Sequence, residues 1–101
     1  MPRREQIEKL LESDPDDPFL NYALAMALMT EEKVELAIPQ FRRVLALDAG
    51  HSAGYFQLGQ ALARQGDLDE ARSVIRDGIR AAAKSGDQHA EAEMTAFLDT
   101  L

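Results

Sequence analysis

Apolar residues recur along nearly the whole chain at intervals of three and four, the spacing that lines them up on one side of an α-helix. Short clusters of Asp, Glu, Pro, Ser and Gly break the pattern at regular places. Residues 3–13 set Ile7, Leu10 and Leu11 on one face before Ser13-Asp14-Pro15-Asp16-Asp17-Pro18 interrupts them. Asp17 is placed to cap a helix over 18–30, with Pro18 at the first helical position, where its missing N–H costs nothing. Glu31, Glu32 and Lys33 make a turn, and a helix over 34–47 follows. Asp48-Ala49-Gly50-His51-Ser52 should close it, with Gly50 as C-cap and Ser52 as the next N-cap. The next helix runs over 52–65 and turns at Gly66. Asp67 and Glu70, at capping-box spacing, then start a helix that reaches about Lys84. Ser85-Gly86-Asp87 is a stop and a new cap, and 87–100 forms a last amphipathic helix with Ala90, Met94, Phe97 and Leu98 inward. The pattern predicts an all-α chain of about six helices.

Half of this pattern is a copy of the other half. An offset of 34 residues carries Leu24 to Leu58, Ala25 to Gly59, Ala27 to Ala61, Leu28 to Leu62, Val34 to Leu68, Ala37 to Ala71, Phe41 to Ile75 and Leu45 to Ile79. That interval and those residue types resemble the tetratricopeptide repeat, W-x2-L-G-x2-Y followed by A-x3-F and P. Tyr55, Leu58, Gly59, Leu62, Ala71 and Ile75 carry the resemblance in one unit, and Asn21, Leu24, Ala25, Leu28, Ala37 and Phe41 in the other. Asn21 departs from the aromatic first position, and Ala49 and Ala83 stand where the closing Pro belongs. The resemblance, to small bacterial-type members of the family, implies a right-handed superhelix of antiparallel helix hairpins. It divides a single domain of 1–101 into a half-unit or cap helix at 2–13, repeats at 18–51 and 52–85, and a capping helix at 86–101.

Packing explains why the small residues recur. Ala25, Ala37, Gly59 and Ala71 keep the helix crossings thin. Leu24, Leu28, Phe41, Leu45, Leu58, Leu62, Ile75 and Ile79 are the expected core, each worth roughly 1.5 to 3 kcal/mol if fully buried. Two local conflicts stand out. Pro39 falls in the early turns of its helix, where a slight kink is expected. Glu32 stands where the second unit has Gly66, so a turn needing positive φ would be strained there.

Composition narrows the class of work. The chain has 101 residues, 46% of them hydrophobic, no cysteine and a formal net charge of −7. Disulfides, Cys-ligated zinc and thiol catalysis are therefore excluded. The negative charge disfavours nucleic acid as a partner. No apolar run is long enough for a membrane span, and the start lacks a secretory signal, so a cytoplasmic location without membrane association is expected. Enzyme motifs are lacking: there is no phosphate-binding Gly loop, no nucleophile elbow and no pair of acids placed in an evident pocket. His51 and His89 read as surface or capping residues, and Asp14, Asp16 and Asp17 as loop and cap chemistry, leaving no metal site.

The resemblance implies that function lies on a concave face lined by the inner helices, 18–30, 52–65 and 87–100. The groove candidates are then Phe19, Tyr22, Met26, Met29, Phe56, Gln57, Gln60, Arg64, Glu91 and Met94. Aromatics and thioethers beside amides suit a peptide or helix of a partner protein, although Phe19, Met26 and Met94 also fit as core between adjacent units. Family members that grip a partner's terminal carboxylate use Lys, Arg and Asn on these helices. Here Tyr22, Met26, Gln57, Gln60, Asp87 and Glu91 occupy the corresponding places, so that chemistry is absent or reversed. Arg72, Arg76, Arg80 and Lys84 recur every four residues as a candidate convex basic ridge, more simply read as a solvated row balanced by Asp69 and Asp77. The expected function is a non-catalytic protein-binding scaffold without cofactor. The rival is a self-assembling module, a homo-oligomer joined through its unpaired terminal helices.

Overall fold

The computed structural model describes residues 2–101 as six helices, with no strand among them: α1 (Arg3–Ser13), α2 (Pro18–Thr30), α3 (Val34–Leu47), α4 (Ser52–Arg64), α5 (Leu68–Ser85) and α6 (Gln88–Leu98). Three of the helices, α2, α4 and α6, start where a side chain accepts from a free N–H. Asp17 Oδ1 accepts from the Phe19 amide at 2.9 Å, and Asp87 Oδ1 from that of Ala90 at 3.1 Å. Between α3 and α4 the caps fall elsewhere than the composition of the turn suggests. Asp48, not Gly50, follows the last residue of α3, and its carboxylate accepts from the Gly50 amide. His51, not Ser52, caps α4, its Nδ1 accepting from the Gly54 amide at 2.9 Å. The Asp67–Glu70 capping box does not form either. Asp67 makes no side-chain cap bond, and Glu70 turns to the Arg42 guanidinium of α3, a charge-assisted partner that outcompetes a neutral amide.

The ends of α2, α4 and α5 share one device. The amides of Glu32 and Lys33 bond back to the carbonyls of Met29 and Leu28, those of Gly66 and Asp67 to Ala63 and Leu62, and those of Gly86 and Asp87 to Ala83 and Ala82. This double closure requires a left-handed residue at its first position. Gly66 and Gly86 meet it at φ 82 and 78, and Glu32 is forced to φ 61. The strain expected from the Glu32 substitution is thus present.

Each helix packs chiefly on its neighbours in the chain, and α4 also touches α6. That is the stacking order of an α-solenoid. One cluster joins α2 to α5 through Ala25, Leu28, Ala37, Ile38, Phe41, Leu58, Ala61, Leu62 and Ala71, and a second sets Ile75 and Ala82 against Met94 of α6. Leu24, Leu45 and Ile79, expected in the core, are only half-buried at its margin, and Leu10 is 58% exposed while Ile7 carries the inward face of α1. Pro39 lies on the exposed side of α3, which runs unbroken from Val34 to Leu47.

Asn21, the misfit of the repeat, is buried and fully used. Its Nδ2 donates to the carbonyls of Pro15 at 3.0 Å and Asp17 at 2.8 Å, and its Oδ1 accepts from Gln40 at 2.6 Å. In the second unit the Tyr55 hydroxyl donates to the carbonyl of Ala49, the counterpart of Pro15, at 2.9 Å. The two units make the same tether with different side chains. The larger Tyr55 needs room, and Gly78 provides it, since a Cβ there would lie 2.6 Å from Tyr55 Cβ and 2.6 Å from Met94 Sδ. In the first unit the position corresponding to Gly78 holds the buried Val44.

Two substitutions test this framework in opposite directions. Glu32→Gly removes the left-handed strain and should stabilise the protein by about 0.5 to 1 kcal/mol in urea unfolding, after allowing for the loss of an exposed ion pair. Gly59→Ala drives a methyl into the buried Ile75 side chain and should destabilise it by about 1 to 3 kcal/mol in the same assay.

Candidate functional site

Three faces of α2 are occupied or free for separate reasons. Asn21, Ala25 and Leu28 face the core, and Ala27 lies beside Arg3 and Arg4 of α1. The remaining side carries Phe19, Tyr22, Met26 and Met29, spaced as one helical stripe. Phe19 is 73% exposed, and Met26 and Met29 are half-buried against the first cluster. Tyr22 is held by its neighbours: its ring lies 6.0 Å from Phe41 and 4.9 Å from His51, centroid to centroid. No charged residue occurs between Pro18 and Thr30.

On α4, Phe56 and Gln57 are half-buried at a depression of about 340 Å³ that opens between the first turns of α4 and α6. Ser52 and Ala53 form its α4 side, and Asp87, His89, Ala90 and Glu93 its α6 side. The Phe56 ring meets Phe97 edge-on at 5.7 Å, which fixes one wall. His89 Nε2 lies 3.1 Å from Glu93. Gln60 is half-buried further along α4, and Arg64 at its end is held by Glu32 at 2.7 Å. Glu91 is half-buried on α6.

Met94 is a correction. It is completely buried against Ile75, Ala82 and Gly78, so it completes the second cluster and does not reach the groove. The cause is the length of α5. The starts of α3 and α5 keep the 34-residue offset, but Leu47 ends α3 while α5 continues past its counterpart Ala81 to Ser85. That displaces α6 relative to the repeat phase, and Met94, already a member of the inward stripe with Ala90 and Phe97, goes to the core. Ser52, Ala53, His89 and Glu93 were not singled out from the sequence as groove residues. The signal for them was the Gly86 stop, which sets where α6 begins.

The basic row on α5 is partly neutralised within its own helix. Arg72 pairs with Asp69 at 3.0 Å, and Arg80 with Asp77. Arg76 and Lys84 are exposed and in no ion pair among the described residues. Other pairs cross between elements: Arg4 with Glu31, Arg42 with Glu70 and Arg43 with Asp16. The Arg4 bond holds the Glu31 carboxyl below the usual carboxylate range, and the Arg42 bond does the same for Glu70. Among the described residues no group of three or more His, Asp or Glu side chains could hold a metal ion, and no helix is long and apolar enough to cross a membrane.

Comparison with known proteins agrees with this geometry. Residues 4–52 and 22–87 match the model of the tetratricopeptide repeat family. The TPR repeat-containing protein PA0015 of Pseudomonas aeruginosa is 36% identical over 97 residues, which cover 96% of this chain and 92% of that protein. The solution structure of BPP2914 from Bordetella parapertussis is 31% identical with a TM-score of 0.84, covering 96% of this chain and 84% of that one. The crystal structure of PcrH in complex with the chaperone binding region of PopD has a TM-score of 0.90 at 19% identity, covering 96% of this chain and 74% of that one, a likeness of fold alone.

The packing of Tyr22 has a measurable consequence. Burial disfavours its phenolate and raises its pKa above that of free tyrosine, about 10. The folded chain then holds this proton more tightly than the unfolded chain, so stability falls as pH rises through the unfolded value. Absorbance titration of the Tyr55→Phe variant should show the remaining phenol ionising late, and Tyr22→Phe should remove the matching alkaline loss of stability.

Proposed function

The chain belongs to the tetratricopeptide repeat family, and on that footing we propose that it is a non-catalytic scaffold that holds a peptide or helix of a partner protein against its inner helices. One observation carries the reading. The stripe Phe19, Tyr22, Met26 and Met29 gives α2 an uncharged, apolar helix face, and Phe19 in particular exposes a ring that no core contact requires. Aromatic rings supply contact area at low entropic cost, and the two methionines adapt to an irregular ligand. Phe56, Gln57 and Gln60 continue the surface across α4, with amides that can bond a partner's backbone. PcrH, which shares this fold, was solved with a segment of another protein, consistent with such a use. In this reading 18–51 and 52–85 are the repeats, and 2–13 and 86–101 close the two ends.

Self-assembly through the end helices has less behind it. Ile7 of α1 and Met94 of α6 are buried within the chain, and Leu10 is the large apolar side chain that α1 leaves exposed. The groove reading is tested with Phe19→Ser/Met26→Gln, which changes the stripe without opening a fully buried core position. Retention on an array of random peptides should fall about tenfold with little change in melting temperature. Unchanged retention of every bound peptide would overturn the assignment.

A further inference from the structure

The inner surface changes chemistry along its length, and the change specifies a ligand. Of the Lys and Arg residues, α3 and α5 hold Arg42, Arg43, Arg72, Arg76, Arg80 and Lys84, and only Arg64 stands on an inner helix. Arg64 is already bound to Glu32. The inner helices are therefore uncharged on α2 and acidic on α6, where Glu91 and Glu93 follow the cap Asp87. At the depression between α4 and α6 the wall is the Phe56 ring and the rim is Asp87 and Glu93. The Asp87 carboxylate accepts from the Ala90 amide and, among the described residues, has no cation beside it, while Glu93 has only His89. The first turns of α4 and α6 oppose this with about half a positive charge each, which leaves the two full carboxylates in excess.

Resting on the reading of the concave face as a peptide site, we propose that its ligand is a cationic amphipathic segment. Its apolar side chains lie along Phe19 and Met26 of α2, and a Lys or Arg reaches the Phe56 depression to meet Asp87 and Glu93. An aromatic wall beside carboxylates suits such a side chain twice over, since the stem packs on the ring and the charged head stays at the rim. An acidic segment would meet carboxylates there with no free cation to receive it.

The test is selection of random 12-residue displayed peptides on four immobilised forms: wild type, Asp87→Asn/Glu93→Gln, Phe19→Ser, and Glu5→Gln/Glu12→Gln on α1. Asn keeps the cap of α6, and the α1 variant makes the same change in net charge away from the groove. Wild type and the α1 variant should retain peptides enriched in both apolar residues and Lys or Arg. Asp87→Asn/Glu93→Gln should keep the apolar enrichment and lose the basic one. A synthetic copy of a retained peptide should bind about tenfold more weakly to that double variant, and more weakly to wild type in 0.5 M salt. A retained pool that is neutral or acidic, or one whose basic content survives the double variant or falls equally in the α1 variant, overturns the cationic ligand. The groove reading then still stands if Phe19→Ser lowers retention. If wild type retains nothing above an empty surface, both fall.

Discussion

Everything in this molecule depends on how closely successive helices approach, and that distance is set by positions with little or no side chain. Gly59 lets α4 lie on Ile75 of α5, and Gly78 lets α5 lie between Tyr55 and Met94. Ala25, Ala37, Ala61, Ala71 and Ala82 are fully buried at the other contacts. A methyl-sized gap is the unit of tolerance in a close-packed interior, so these positions fix the tilt of each helix on the next. Because each helix touches mainly its neighbours in the chain, the tilt repeats and the stack curves without a central core to wrap around. Phe19 of α2 stays exposed in such a stack, where a closed bundle would enclose it.

The ion pairs between units are of a different order. Arg4–Glu31, Arg42–Glu70, Arg43–Asp16 and Arg64–Glu32 all lie at the surface, where solvent screening leaves little net stabilisation. Their effect is one of placement. They hold Arg4, Arg42, Arg43 and Arg64 to partners within the protein, whereas on α6 Glu93 has His89 as its ion-pair partner among the described residues and Asp87 has none.

Repeat, element order and most boundaries were legible because they rest on local rules: Asp17 and Asp87 cap helices, Gly66 and Gly86 end them, and a 34-residue offset aligns the two units. What was illegible required knowing which of two partners a side chain would take. Glu70 had a backbone amide within reach by spacing, and chose a guanidinium from another helix. His51 read as a surface or capping residue; it does cap α4, and what spacing could not show is that its ring also lies on Tyr22. Of the candidate groove residues, those on α2 and α4 were placed by helix phase within the two full units. Glu91 and Met94 were assigned by carrying the phase into a third unit, and the extra turn of α5 breaks that step.

Asn21 shows how a departure from the repeat pattern is absorbed. An aromatic at this position would need both a tether for its polar end and a small residue across from it, as Tyr55 has in Ala49 and Gly78. The first unit lacks the second requirement, because Val44 fills the place of Gly78. A shorter side chain is then the one that fits, and it must still reach the carbonyl of Pro15 to hold the preceding turn. Asn satisfies both conditions, with Gln40 and the Asp17 carbonyl taking up its remaining hydrogen-bonding capacity so that no polar atom is buried unpaired. The exchange of aromatic plus glycine for amide plus valine conserves volume and tether together. The two units therefore make the same tether with different residues at their crossing.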